Sequence, residues 1–216
     1  MVLGLLTITS IPTVIGVAEG VSEQKKANKR KDDEKRMAKF YLDVFCEGDS
    51  ETARQLVGKR VVLRDNKVYL DSPTPTSRPI PSHTAEAFYI GYPDEEREPT
   101  LGLVSSVSTD PPMLNWIYVD KDTLELKYGN RTQSRPHLVG PWDWTEDRVG
   151  LTMKGVEGFV AVEEEGGEGE GVWGVYFDED GDGLRRRVGG RRVVEISLKR
   201  TMVETKGEAE AEGDGK

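Results

Sequence analysis

The alternation of apolar and polar positions is clearest between Met113 and Gly129. Every second residue from Leu114 to Tyr118 is Leu, Trp or Tyr, and Leu, Leu and Tyr alternate in the same way from Leu124 to Tyr128. The residues between them, Asp120 to Thr123, have the polar character of a turn. A period of two on both sides of a turn predicts a pair of antiparallel strands.

Short apolar runs bounded by turn residues continue along the rest of the chain. Val61–Leu63 and Val68–Leu70 flank Asp65-Asn66, which predicts a second hairpin. Four prolines between Pro73 and Pro81 predict a loop. Further short strand candidates are Ala87–Tyr92, Leu101–Val107, Val149–Met153, Gly158–Glu163, Val172–Phe177 and Val193–Val203. Short strands separated by turn residues predict an antiparallel β-meander, closed as a barrel or folded as a sandwich.

The N-terminal part has a different period. Eight basic and four acidic residues lie between Ser22 and Phe40, a net charge of +4, and Gly and Pro are absent. The apolar positions that follow have the spacing i, i+3, i+4, i+7, i+8, and they are Met37, Phe40, Tyr41, Val44 and Phe45. This spacing predicts a long helix that begins in solvent and ends docked on the protein. A second helix is predicted from a cap at Asp49 or Ser50 to Gly58.

The predicted fold class is α+β, mainly antiparallel β, with an N-terminal helical segment before the barrel or sandwich. The expected organisation is an apolar segment at residues 1–18, a helical region at 19–58, an antiparallel β domain at 59–203 and a disordered acidic tail at 204–216.

The first 18 residues carry no charge and leave three alternatives open. The segment packs within the protein or an oligomer, or makes a peripheral membrane contact, or is a cleaved signal, although the basic start that a signal requires is absent. A membrane contact predicts that the full chain sediments with anionic vesicles at low salt, whereas a chain that begins at Ser22 stays in the supernatant.

The amino-acid composition argues against some partners and cellular locations. The net charge is -9 and the pI is near 5.0, which argues against a nucleic-acid partner because a phosphate backbone requires a basic face. Cys46 is the single cysteine, so an intrachain disulfide is excluded. A reducing, cytoplasmic location, with or without membrane association, is therefore favoured over secretion. Cys46 itself is predicted to be a small buried residue and not a nucleophile.

Several stretches resemble a family of uncharacterised proteins from filamentous ascomycete fungi. They are LNWIYVDKDTLELKYGNR, GPWDW, GFVAVEEE and VWGVYFDEDGD, together with MVLGLLTITSIPTVIG before the Lys-rich helix. The resemblance covers most of the chain. It implies a fungal source and a shared fold, and it carries over no activity and no functional residue.

The strongest metal-like motif is Asp178-Glu179-Asp180-Gly181-Asp182-Gly183, which matches the opening of a calcium loop. The twelfth position of such a loop requires Glu, but Gly189 is found there, so an acidic turn without tight calcium binding is predicted. His83 and His137 lack zinc-ligand spacing and are predicted to lie in surface loops. Phosphate-binding glycine loops and a GxSxG elbow are also absent from the sequence. No catalytic residue, metal or cofactor is predicted.

Two classes of function remain open. The first is a non-enzymatic binding or interaction module for an unknown protein or small ligand. The second is a small-ligand-binding or hydrolytic barrel, in which aromatic side chains line a pocket near acids such as Asp143 or Glu146. The residues of this candidate ligand platform are Trp116, Tyr118, Trp142 and Trp144. The alternative for Trp142 and Trp144 is burial in the core. A filled barrel would favour the first class, and a deep pocket the second.

Overall fold

The computed structural model describes residues 11–48, 50–73, 82–109, 112–164, 171–184 and 186–203; for residues 11–23, 107–109 and 112 it describes the backbone alone. The chain divides into two compact units, residues 1–37 and 38–216. The predicted proline-rich loop from residue 74 to 81 and the predicted disordered tail from residue 204 lie outside the described residues.

The described part of the first unit is one helix, α1, from Ile11 to Met37. Residues 24–37 are exposed except for Asp32 and Arg36, which are partly covered, so the basic block is solvated as predicted. Within the described residues, no helix combines the length and the hydropathy that a membrane crossing requires. A peripheral contact through residues 1–18 stays a prediction.

The second unit consists mainly of strands. Their bounds are β1 Phe40–Phe45, β2 Arg60–Arg64, β3 Lys67–Asp71, β4 His83–Thr84, β5 Glu86–Gly91, β6 Leu101–Thr109, β7 Pro112–Val119, β8 Leu126–Gly129, β9 Trp142–Trp144, β10 Leu151–Met153, β11 Phe159–Glu163, β12 Trp173–Phe177 and β13 Val193–Met202. Two short helices, α2 Glu51–Leu56 and α3 Arg131–Ser134, lie between strands.

The prediction that the N-terminal helix continues through Phe40–Phe45 is wrong, because α1 ends at Met37 and this segment is strand β1. Phe40, Leu42 and Val44 are buried and their neighbours less so, which is the period of a strand. The same apolar residues also fit a helical spacing, so the local pattern is ambiguous. The antiparallel pairing of all six residues with β13 decides the conformation.

The second predicted helix is confirmed. The side chain of Ser50 accepts a hydrogen bond from the amide of Ala53 at 3.0 Å, which caps α2. The predicted helical region 19–58 therefore contains two helices with strand β1 between them, and antiparallel structure begins at residue 40.

Both predicted hairpins are confirmed. β2 pairs with β3 across Asp65-Asn66, whose φ angles of 50° and 61° suit the two-residue turn that matches strand twist. β7 pairs with β8 in antiparallel register around the predicted Asp120–Thr123 turn.

Barrel closure joins strands that are distant in sequence. In the described part of the chain, eleven strands form one sheet in the order β12-β11-β13-β1-β5-β6-β7-β8-β3-β2-β4. A further pairing of β12 with β3 closes nine of them into a ring, and β2 also bridges β1 and β3. The mainly antiparallel β fold is therefore confirmed, as a barrel.

Side chains fill the barrel. Phe40, Leu103, Ile117, Phe159 and Phe177 belong to one continuous buried cluster, in which each of them is at most 1 % exposed. Close packing of large side chains excludes solvent from the interior. The interior is consequently a core and not a ligand pocket.

Two smaller clusters lie outside this core. Val160, Val162 and Tyr176 pack with Leu184 and Val188, which lie in the loop after β12. The other cluster contains Tyr92, Trp116, Tyr118 and Val139. Loops therefore cover parts of the outer face of the sheet, and these loops form the surface features described below.

Candidate functional site

The structure separates the four aromatic residues of the predicted ligand platform. Trp142 is 0 % exposed in the main core, where its ring lies parallel to that of Phe159 with centroids 6.2 Å apart. Trp144 is partly buried against the same core, and the guanidinium carbons of Arg148 and Arg200 lie 5.5 and 4.6 Å from its ring centroid. Neither indole presents an open ring face.

Trp116 and Tyr118 lie instead in the small outer cluster. The ring of Trp116 meets that of Tyr92 edge to face at 4.7 Å, and the ring of Tyr118 stacks on His137 at 5.1 Å. Aromatic pairs of this kind stabilise packing beyond the area that they bury. These two residues fix the loops above β7, and the structure does not place them beside Trp142.

The calcium-like motif forms a tight turn. Asp178 is 5 % exposed, and its carboxylate accepts hydrogen bonds from the amides of Asp182 at 3.2 Å and Gly183 at 2.7 Å. The carboxylate of Asp182 accepts a bond from the amide of Leu184 at 2.8 Å. Two of the three aspartates thus bind backbone amides. Within the described residues, no group of three or more His, Cys, Asp or Glu has an arrangement that could hold a metal ion.

The single cysteine and the two histidines are at least partly enclosed. Cys46 is buried as predicted, and burial raises the pKa of its thiol, which disfavours the thiolate. The surface-loop prediction for the histidines needs correction. His83 lies in β4 and is partly buried, and the side chain of His137 is only 18 % exposed beneath its loop.

A network of ionised side chains joins β3, β8 and the β7–β8 turn. Lys127 Nζ lies 2.7 Å from a carboxylate oxygen of Asp120 and 3.3 Å from one of Glu125. Lys67 Nζ lies 3.0 Å from the other oxygen of Glu125. Burial would raise the pKa of Asp120, but the bonds from Lys127 and from the amides of Asp122 and Thr123 outweigh it and lower the pKa to about 2.

The network continues through Tyr176 on β12. Its hydroxyl lies 2.9 Å from Glu125 and 3.0 Å from Glu164, and Arg191 Nη1 lies 3.3 Å from both the hydroxyl and Glu164. Burial, chiefly, raises the pKa of Tyr176, so the phenol stays protonated. Charges of both signs are matched in this network, which ties β3, β8 and β12 together where the barrel closes. Because its charged groups are paired with one another, this network stabilises the fold and leaves few groups available to a substrate.

An open groove of about 480 Å³ is the strongest candidate for a binding site. Four segments form it: the end of β1, the residues before β11, the acidic turn after β12 and the middle of β13. Six carboxylate side chains line it, and they are Glu47, Glu157, Asp178, Glu179, Asp180 and Glu195. We call this feature the acidic groove.

Close backbone packing shapes the acidic groove. The amide of Asp178 donates a hydrogen bond to the carbonyl of Gly158 at 2.7 Å. A Cβ atom on Gly158 would lie 2.3 Å from the carbonyl oxygen of Asp178, so only glycine permits this approach. The acidic turn is thereby held against the start of β11.

The acidic groove combines negative charge with exposed apolar surface. Phe45 is 43 % exposed and Val156 is 40 % exposed, and both line the groove. Lys154 forms an ion pair with Glu179, in which Nζ lies 2.8 Å from Oε2. Among the described residues, the side chains of Glu47, Glu157, Asp180 and Glu195 have no hydrogen-bond or ion-pair partner. Even with Lys154 and Lys199 counted, the described residues of the groove carry more negative than positive charge beside the apolar contacts.

A family model matches this chain, whereas no curated protein and no solved structure does. The profile described as "Fungal beta-trefoil domain" matches residues 16–204, which include all thirteen strands. The match confirms the resemblance to a fungal family, and the closed antiparallel barrel agrees with it. The chain belongs to the fungal β-trefoil domain family.

Proposed function

We propose that this protein is a non-enzymatic binding module, and that its acidic groove takes up a cationic segment of another protein. The observation that carries the proposal is the convergence of six carboxylates and two exposed apolar side chains on one open groove. Four segments that are distant in sequence build this surface, and backbone contact between Gly158 and Asp178 fixes part of it.

The filled barrel supports a binding module over the alternative, a small-ligand or hydrolytic barrel with an aromatic pocket. Trp142 has no exposed surface for a ligand, and Trp116 and Tyr118 lie in a different cluster. Of the acids proposed for that pocket, Asp143 accepts a bond from the amide of Trp144 and Glu146 is exposed. Surface grooves remain as the sites where a partner can bind.

The chemistry of the acidic groove selects its partner. A Lys- or Arg-rich segment would supply the missing positive charge, and its aliphatic stems would cover Phe45 and Val156. Phe45 already interacts with a cation on its ring, because Lys199 Nζ lies 3.6 Å from the ring centroid. The overall charge of -9 would also steer a cationic partner towards the protein.

Fluorescence anisotropy with a labelled Lys/Arg-rich peptide tests this function. We expect saturable binding that weakens between about 50 and 300 mM salt, since salt screens exposed charges. Combined replacement Glu157→Gln and Glu195→Gln should weaken binding by about fivefold or more, because rim charges contribute up to about 1 kcal/mol each. Phe45→Ser should weaken binding at high salt as well as at low salt, since its contribution is apolar.

The matched control is the combined replacement Glu95→Gln and Glu146→Gln, which also removes two negative charges, from exposed positions outside the groove. It should leave the affinity nearly unchanged. Equal binding by wild type and by the Glu157/Glu195 variant would refute the groove as the binding site, as would equal binding of a Glu-rich peptide of the same length.

A further inference from the structure

A second depression on the same unit has the opposite chemistry. It has a volume of about 570 Å³ and lies between the loop after β5 and the segment around α3. Three arginines converge on it. The side chains that define it are Asp94, Glu96, Arg97, Arg131, Thr132 and Arg135. We call it the arginine depression, and none of its residues lines the acidic groove.

A buried carboxylate orients two of the three guanidinium groups. The side chain of Asp94 is 2 % exposed, and its Oδ2 atom lies 3.3 Å from Arg97 Nε and 3.2 Å from Arg135 Nε. Burial would raise the pKa of Asp94, but the amide of Glu96 and the two arginines outweigh it and keep this pKa below its ordinary value. Asp94 is therefore a charged anchor that holds both arginines side by side.

Backbone contacts hold the arginines further. Arg97 Nη1 donates to the carbonyl oxygen of His137 at 3.4 Å, and Arg97 Nη2 donates to the carbonyl oxygen of Arg135. These bonds connect the loop after β5 to the segment around α3. Since arginine side chains have many rotamers in solution, ordering them before a ligand arrives lowers the entropic cost of binding.

Hydrogen bonds and aromatic packing also fix the position of the segment that carries Arg131 and Arg135. The hydroxyl groups of Tyr92 and Ser134 lie 2.9 Å apart within hydrogen-bonding distance, and Tyr92 packs on Trp116. Asn130 and Gln133 bond reciprocally to each other's backbone amides at 3.0 and 2.9 Å. Trp116, one of the aromatic residues singled out in the sequence, thus supports the depression without lining it.

We infer that the arginine depression binds a phosphate monoester group. The guanidinium of Arg131, together with the N–H groups of Arg135 that Asp94 and Glu96 leave unused, offers more donors than the two oxygens of a carboxylate can accept, whereas a phosphate group presents three terminal oxygens. Among the described residues, the guanidinium of Arg131 has no hydrogen-bond or ion-pair partner, so its donors are free for a ligand. Thr132 adds a hydroxyl donor at the same edge.

The charge distribution limits the ligand to a compact one. The three arginines and the two acids of the depression leave a net charge of +1 there, on a chain whose net charge is -9. A long polyanion would meet the negative remainder of the surface, but a single phosphate group would not.

Glu96 provides an internal competitor. Its carboxylate is bound to Arg135 Nη2 at 2.6 Å, yet its side chain is 81 % exposed. An exposed ion pair of this kind contributes little stability, so an incoming phosphate can displace it. Removal of the Glu96 charge should therefore increase the affinity for phosphate, a gain that a purely structural role of these residues would not produce.

Titration with inorganic phosphate at pH 7.5, followed through the backbone amide NMR signals of residues 131–135, tests the inference. Wild type should show saturable shifts, and acetate should give weaker ones. Arg131→Gln should lower the affinity by about tenfold, which corresponds to about 1.4 kcal/mol, because the variant cannot make the charge-assisted hydrogen bonds of the guanidinium to phosphate. Glu96→Gln should raise the affinity by about two- to threefold.

Matched controls separate local contact from net charge. Arg54→Gln removes a positive charge on α2, and Glu95→Gln removes a negative charge next to Glu96, but neither residue lines the depression. Both should leave the affinity nearly unchanged. The inference is overturned if wild type shows no saturable response, if Arg131→Gln binds like wild type, or if Glu95→Gln gains as much as Glu96→Gln.

A phosphoserine-containing peptide then distinguishes the source of the group. Tighter binding of this peptide than of inorganic phosphate, with the same loss in Arg131→Gln, identifies a phosphorylated side chain as the ligand. Equal affinities identify a small phosphorylated molecule. Both results support the site, and neither depends on binding in the acidic groove.

Discussion

Replacement of Trp142 with alanine is expected to lower the free energy of unfolding by about 3–5 kcal/mol, the usual cost of truncating a large buried aromatic side chain. Trp142 is 0 % exposed, and its ring lies parallel to Phe159 in the main core. Its strand, β9, pairs only with β10 among the described strands, so side-chain packing and not a wide sheet must hold it. Urea denaturation monitored by far-UV circular dichroism gives the measurement.

Trp116→Ala is the matched control for that substitution. A core position for Trp116 would predict a similar cost, but its side chain is only partly buried in the outer cluster with Tyr92. The loss should therefore be smaller, within the range of about 0.5–3 kcal/mol that is typical of single substitutions. Equal losses for the two variants, or an unchanged midpoint for Trp142→Ala, would contradict this assignment of core and outer cluster.

Local patterns in the sequence were sufficient to predict the hairpins. The β2–β3 hairpin forms around Asp65-Asn66, two residues that adopt positive φ angles readily, and the short apolar runs Val61–Leu63 and Val68–Leu70 on either side form its strands. The β7–β8 hairpin has the same local basis, with Asp120 accepting hydrogen bonds from amides of its own turn. Each element depends on residues that are close in sequence, so a single sequence reveals it.

Segments that depend on distant partners were harder to predict. The apolar positions of Phe40–Phe45 satisfy both a helical and an extended period, and the preceding Lys-rich run favours a helix. Pairing with β13, near the other end of the chain, makes it a strand. Ring closure through β12 and β3 is equally non-local. Tertiary pairing of this kind overrides local propensity, and a short stretch of sequence cannot reveal it because the partner strand lies far away in the chain.

The two candidate sites show the same limit. The acidic turn Asp178–Gly183 was recognisable as a motif, but Glu47, Glu157 and Glu195 join it only when the barrel forms. The sequence did not predict the arginine depression, because Arg97 lies in the loop after β5 whereas Arg131 is the first residue of α3, more than 30 residues later. The capping residues Asn130 and Gln133 were its one local signal, and they indicate a short helix and not a site.

Asp120 is the carboxylate whose titration should affect stability most clearly. Its side chain accepts hydrogen bonds from the amides of Asp122 at 2.9 Å and Thr123 at 3.2 Å. Lys127 Nζ lies 2.7 Å from the carboxylate, and His137 Nδ1 lies 3.8 Å from it. Burial would raise the pKa of Asp120, but Lys127 and the two turn amides outweigh it and lower this pKa from 3.8 to about 2. A lowered folded-state pKa contributes stability above the unfolded-state pKa and loses it as the pH falls through the folded-state pKa.

Asp120→Asn is therefore expected to lower the free energy of unfolding by about 2 kcal/mol at pH 6, since one pKa unit corresponds to about 1.4 kcal/mol. The difference from wild type should shrink to less than about 1 kcal/mol by pH 2.5, where the wild-type carboxyl is itself becoming protonated. Asp122→Asn, an exposed neighbour in the same turn, serves as the control and should follow wild type across this range. Urea titrations at both pH values measure the difference. A gap between Asp120→Asn and wild type that stays constant with pH would show that shape, and not the charge shared with Lys127, makes Asp120 stabilising.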